Sequence, residues 1–213
     1  LIASRVCHDI ISPVGAITNG LEVLEEDNNE DMRAFAMDLI RKSARQASAK
    51  LQFARLAFGA AGSAGASIDL GDAENVAKGF MAGEKATLSW TATRVLMPKN
   101  LVKLLLNLIL IAGHAIPRGG VIQVVVTGQA EAPTFTLTCA GTNARIPANA
   151  EAFLAGDSGD HVPDAHMIQP IYAGLLARAA GMVVTVSKDG DTVVFRATPK
   201  AVEAAGSDGP AAA

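Results

Sequence analysis

Residues 4–26 read SRVCHDIISPVGAITNGLEVLEE, and the spacing of apolar side chains in this stretch decides the architecture of the N-terminal part of the chain. Val6, Ile10, Val14, Ile17, Leu21 and Leu24 recur at intervals of 4, 4, 3, 4 and 3, the stripe that a bundle helix buries. Glu25-Glu26-Asp27-Asn28-Asn29 breaks the pattern. A second helical run starts near Glu30 and passes through Met32, Phe35, Leu39, Ala47, Leu51 and Ala54 to about Phe58. Two long helices joined by a short polar turn make an antiparallel hairpin. Each carries more apolar surface than its neighbour can cover. Two hairpins from two copies are therefore expected to pair as a four-helix bundle, which makes the protein a homodimer.

The composition changes after Phe58 to Gly59-Ala60-Ala61-Gly62-Ser63-Ala64-Gly65-Ala66-Ser67, a linker without core-forming side chains. Residues 1–58 are thus expected to form the hairpin, 59–67 the linker, 68–199 a second domain and 200–213 a disordered tail of Ala, Gly, Ser and Pro. Within the second domain the pattern predicts a helix over 72–81, a strand over 86–91 and a strongly apolar helix over 98–116 with Pro98 in its first turn. Strands are expected at 121–127 and 134–139, a loop from Gly156 to Pro163, and a helix from about Asp164 to Ala180. A closing hairpin pairs 182–187 with 192–197 around Lys188-Asp189-Gly190-Asp191. Helices and antiparallel strands in this order make an α+β sandwich.

The composition also excludes whole classes of function. The chain has 213 residues, a net charge of −3, 50% hydrophobic and 4% aromatic residues. Its longest apolar run, Leu101 to Ile111, is interrupted by Lys103 and Asn107 and is far short of the roughly 18 residues a bilayer span requires. No export signal is recognisable, and Cys7 and Cys139 are too far apart in sequence for a disulfide framework or a zinc pair, so a cytoplasmic setting is expected. A slightly acidic chain with one Trp and one Tyr lacks the charge and the stacking surface that nucleic acids demand.

On a helical wheel, His8 lies roughly 160 to 200° from Val6, Ile10, Ile17 and Leu24, so it faces water. Ile11, Ser12, Gly15, Asn19, Glu22 and Glu26 share its strip. Ile11 is the apolar member of this polar strip, which suits a docking contact. Asp9 can reach the imidazole, and a carboxylate accepting the Nδ1 proton would leave Nε2 free, as a nucleophilic or phosphoryl-carrying histidine needs. The same pair also reads as a solvated His and Asp with no chemistry.

His8-Asp9-Ile10-Ile11-Ser12-Pro13 resembles the phospho-acceptor box of sensor histidine kinases, with Ile11 where that family commonly has Arg. Pro13 in the helix interior predicts a kink just past His8. The second domain is similar to the Bergerat-type ATP-binding domain of the same kinases. Its nucleotide boxes are eroded. Asn107 stands at the first asparagine of the N-box, but Ile111 stands where the magnesium-binding asparagine belongs and offers no oxygen. In Ala140-Gly141-Thr142-Asn143-Ala144-Arg145-Ile146-Pro147, Gly141 replaces the adenine-reading aspartate and Arg145 the second glycine. Gln169-Pro170-Ile171-Tyr172-Ala173-Gly174-Leu175 keeps one glycine, Gly174, of the phosphate loop.

A histidine-presenting dimer without an ATP site resembles the histidine phosphotransferases of bacterial phosphorelays. That resemblance implies the catalytic residues His8 and Asp9, no cofactor in this chain, and magnesium supplied by a partner receiver domain. It implies as partners the receiver of a hybrid histidine kinase and the receivers of response regulators, docked on Ile11, Ser12, Gly15, Asn19 and Glu22. Gln46 and Lys50, level with His8 on the second helix, complete the expected partner surface. Arg41, Lys42, Arg45, Lys50 and Arg55 make that helix basic, and the charge would steer acidic receivers. An atypical ATP-dependent histidine kinase and a non-catalytic receiver-binding adaptor remain as alternatives. A metal cluster of Asp157, Asp160, His161, Asp164 and His166 competes with the reading of a turn-rich loop, and the loop is preferred.

Overall fold

The computed structural model describes residues 2–26, 29–59, 66–157 and 167–201. Two long helices, α1 (Ile2–Glu26) and α2 (Glu30–Phe58), form the antiparallel hairpin. Its turn is fixed at both sides. The Asn29 side chain accepts from the Asp31 amide at 2.9 Å to cap α2, and Glu30 and Asp31 place negative charge at that positive helix end. Arg33 reaches back and donates to the Leu24 carbonyl at 2.6 Å, satisfying an end group of α1.

The face of α1 that meets α2 keeps Val6, Ile10, Ile17 and Leu24 of the expected stripe and departs from it at two positions. Pro13 and Gly20 are buried on this face, whereas Val14 and Leu21 are 47% and 48% exposed. Close approach of the two backbones chooses the seam. A Cβ on Gly20 would lie 2.7 Å from Ile40 Cγ1 and 3.2 Å from the Ala36 carbonyl, so only glycine fits there without a shift. The predicted stripe therefore straddles two surfaces, one spent on α2 and one left bare. The helix runs on through buried Pro13, whose missing N–H removes the ladder bond to the carbonyl of Asp9.

The second unit contains β1 (Ser67–Asp69), α3 (Leu70–Met81), β2 (Ala86–Thr91), β3 (Leu96–Pro98) and α4 (Lys99–Ala115). It continues with β4 (Gly120–Gln129), β5 (Ala132–Ala140), α5 (Ala150–Ala155), α6 (Ile168–Ala179), β6 (Met182–Asp189) and β7 (Thr192–Pro199). A five-stranded sheet has the order β2-β4-β5-β7-β6, parallel between β2 and β4 and otherwise antiparallel. A two-stranded sheet, β1-β3, flanks it. Three elements escaped the sequence reading. The three-residue strands β1 and β3 and the six-residue α5 are too short for periodicity to show. Ser67, assigned to the linker, is the first residue of β1 and pairs with Pro98. Pro98 itself caps α4 instead of lying in its first turn. The metal-cluster candidates Asp160, His161, Asp164 and His166, most of the expected 156–163 loop, and the tail beyond residue 201 lie outside the described residues.

Apolar on nearly every side, α4 is buried on nearly every side, with its residues from Leu101 to Ala112 all in the core. Alternate strand residues, among them Ile122, Val124, Phe135, Leu137, Val193 and Phe195, close over it from the sheet. The C-terminal turns of α2 enter the same core. Phe53 and Ala57 are fully buried in it, the Phe53 and Phe80 rings lie 4.4 Å apart, and Phe58 meets Tyr172 at 5.9 Å. The chain boundary after Phe58 is thus not a boundary of packing.

The two cysteines differ sharply. Cys7 is exposed, while Cys139 points into the core from β5, where burial pushes its thiol pKa up to about 12. A thiol reagent is expected to titrate one group in the native protein and two after denaturation, counted by absorbance. Rapid native reaction of both would show that the sheet opens readily.

Candidate functional site

Helix α1 presents His8 to solvent with 89% of its side chain exposed, as its wheel position requires. Asp9, one residue on, is 30% exposed and brings Oδ1 to 3.5 Å from His8 Nδ1. Contact of a carboxylate with Nδ1 favours a proton on that nitrogen and leaves Nε2 with its lone pair outward. Behind the pair stands Arg5, one helical turn earlier, with Nε 3.5 Å from Asp9 Oδ2. The residues Ile11, Ser12, Gly15, Asn19 and Glu22 are all exposed, Ile11 at 69%. Among the described residues, nothing apart from its chain neighbours and the adjoining backbone of α1 lies within 4 Å of a Cβ built on Gly15. A helix-interior glycine costs about 1 kcal/mol relative to alanine, and here no internal packing demands it.

Gln46 and Lys50 are drawn into the chain itself. Lys50 is only 14% exposed and its ammonium lies 3.6 Å from Glu84, and the Gln46 amide covers Gly83. Together they tie α2 to the turn between α3 and β2. The wall of this turn, the start of α1 and the end of α4 enclose a cleft of about 520 Å³, edged by Arg5, Asp9, Lys50, Glu84, His114 and Arg145. Asp9 therefore faces His8 on one side and the cleft on the other.

The residues that the resemblance sets in the nucleotide boxes make contacts within the chain itself. Asn107 is fully buried and spends its amide nitrogen on the carbonyls of Ala57, at 3.1 Å, and Lys103, at 2.7 Å. Its Oδ1 accepts from Gln169 Nε2, and Gln169 is itself 2% exposed. Lys103, also buried, donates from Nζ to the Gly59 carbonyl. Burial, and then repulsion from Lys99, lowers its pKa below 10.5. Ile111 is buried and offers no ligand atom. A side chain at Gly141 would meet the Gly119 carbonyl at 2.4 Å, so an adenine-reading carboxylate cannot be fitted there. Gly174 serves packing, because a Cβ there would lie 2.3 Å from the Phe153 carbonyl of α5. A cavity of about 620 Å³ remains beside these residues, lined by the apolar side chains of Ile111, Ile146, Pro147, Met167 and Pro170 together with the polar His114, Arg145 and Asn149.

Two features of the site eluded the sequence. Arg5 was legible in principle from its i, i+4 relation to Asp9. His114 lies 109 positions from Arg5, and no local pattern joins them.

The site thus consists of an outward imidazole on a helical hairpin packed against an α/β lobe. The family model for the histidine phosphotransferase C-terminal domain matches residues 70–192. The chain is 51% identical over 197 residues to Protein phosphotransferase ChpT of Brucella abortus (strain 2308), covering 92% of this chain and 93% of that protein. It superposes on a bacterial phosphotransferase solved at 1.7 Å with a TM-score of 0.81 and 48% identity, covering 92% and 93% of the two chains. The protein belongs to the histidine phosphotransferase family and is a phosphotransferase of a phosphorelay. Among the described residues no helix is long and apolar enough to cross a membrane.

Proposed function

We propose that His8 carries the phosphoryl group between the aspartates of two receiver domains, that of a hybrid histidine kinase and that of a response regulator, and that ATP takes no part. The observation that carries this reading is the 89% exposed imidazole with a carboxylate on its Nδ1 side. Nε2 attacks the phosphorus of the receiver's acyl phosphate, a new N–P bond forms, and the P–O bond to the aspartate breaks. The aspartate leaves as a carboxylate. The ring keeps its Nδ1 proton and gains a positive charge, which Asp9 offsets. Magnesium belongs to the receiver in this scheme. The commitment of Asn107, Gln169 and Gly141 to internal contacts supports an ATP-independent reaction.

Ser12, Gly15, Asn19 and Glu22 form the docking strip with Ile11, and the side-chain-free space at Gly15 lets a receiver backbone approach. The wild-type protein is tested with labelled phosphoreceiver and, separately, with labelled ATP and magnesium. Acid-labile label from the receiver alone is expected, and label from ATP alone would overturn the proposal.

The bare apolar stripe of α1 supports a homodimer. Val14 and Leu21 sit one side of the α2 seam at about half exposure, next to Ile11, and Phe35 on α2 is 63% exposed. A second hairpin would cover such surface as a bundle does. Val14→Glu with Leu21→Glu is expected to convert a dimer to a monomer in light scattering, with helix content kept. An unchanged mass would remove the stripe from the interface.

A further inference from the structure

The cleft beside His8 holds a contact that no feature of the phosphotransfer scheme requires. Arg5 is 20% exposed and forks between two partners. Its Nε faces Asp9 Oδ2 at 3.5 Å, and its Nη2 lies 3.2 Å from Nε2 of His114 near the end of α4. A guanidinium only donates, so the His114 ring accepts through an unprotonated Nε2. His8, Asp9, Arg5 and His114 therefore form a continuous line from the outward imidazole, across the hairpin surface, to the second unit. Lys50 and Glu84, which line the same cleft, bridge the same two bodies at 3.6 Å. The second unit is thus anchored to the hairpin at two points of the cleft that Asp9 lines.

We propose that Arg5, held by His114, is a positioning residue for phosphotransfer: it fixes the Asp9 carboxylate at the Nδ1 side of His8. This rests on His8 being the phosphoryl carrier. The physical reason is orientation. An Asp9 side chain with one partner has two soft torsions and a half-exposed setting. A cation on its second oxygen restricts those torsions while leaving Oδ1 turned to the imidazole. The anchoring of Arg5 on another element matters because a long side chain free at both ends would not be restricted itself. The fork geometry is one that arginine makes and lysine does not.

The test is a double-mutant cycle on the full chain, with Arg5→Ala, His114→Leu and the pair, read as single-turnover transfer from a phosphorylated receiver at varied receiver concentration. Arg5→Ala is expected to lower the limiting rate about tenfold with the half-saturating receiver concentration little changed. His114→Leu lowers it about threefold, and the double variant is no slower than Arg5→Ala, since both act through one carboxylate. Arg5→Lys regains part of the loss. Melting curves and helix content are measured for each variant. His114→Leu, remote from α1 in sequence, keeps the test decisive if Arg5→Ala frays the helix. Strictly multiplicative losses, a change confined to the half-saturating concentration, or wild-type rates for both single variants would overturn the assignment. His8→Ala run alongside separates the two readings. If it still takes up phosphate, the carrier assignment fails; if it does not and the Arg5 cycle is flat, only the positioning role fails.

Discussion

Replacing Asn107 with alanine is expected to lower the stability of the protein by about 3 to 5 kcal/mol, roughly a 10 °C fall in the melting temperature for a chain of this size. The side chain is fully buried, and all of its hydrogen-bonding capacity on the amide nitrogen is used. Its loss strands the Gln169 amide, 2% exposed, and an end carbonyl of α2 at Ala57. Orphaned buried groups cost about 1 to 3 kcal/mol each, which is why the deletion is worse than the bonds are valuable. Asn107→Leu with Gln169→Met, which removes both partners and restores volume, should recover a good part of the loss in a calorimetric scan. Equal stability of the single and double variants would show that Asn107 acts by some other route.

Replacing His8 with alanine is expected to remove acid-labile phosphate from the protein. It should also lower transfer between two receivers by roughly a thousandfold or more, because the proposed nucleophile is gone. The ring is 89% exposed, so stability should stay within about 0.5 kcal/mol of wild type. Receiver binding, measured by titration calorimetry, should persist, since Ile11 and the rest of the strip are untouched. Asp9→Ala leaves the nucleophile but frees its orientation and removes the offsetting charge, and a loss of about tenfold to a hundredfold is expected. Persistence of transfer in His8→Ala would point to another residue as the carrier.

The hairpin was legible because amphipathic periodicity over long helices is the strongest local signal a sequence carries. Strand β2 was placed residue for residue, and the antiparallel pairs β4-β5 and β6-β7 followed from β-branched runs around turn residues. What periodicity could not resolve is which arc of α1 faces α2. Hydropathy ranks Val14 and Leu21 above Gly20, yet the seam runs through Gly20 because backbone proximity there outweighs side-chain area. The outward position of His8 was correctly read, since a wheel error of a few tens of degrees leaves it on the open side. Lys50 and Gln46 were placed level with His8, but their partners Glu84 and Gly83 belong to a turn far along the chain. Arg5 and His114 illustrate the same limit: a contact across 109 positions has no local signature.

Phe53 and Ala57 sit deep among the side chains of the second unit, and this shared interior bears on the proposed encounter with a receiver. Two bodies that wobble against each other would have to freeze their relative motion on every encounter, and each freezing subtracts from affinity. A frame already set spends nothing on that. An intermediary that must release each receiver quickly can then hold it weakly and still present the imidazole at a reactive angle, which is the balance a relay between two aspartates requires.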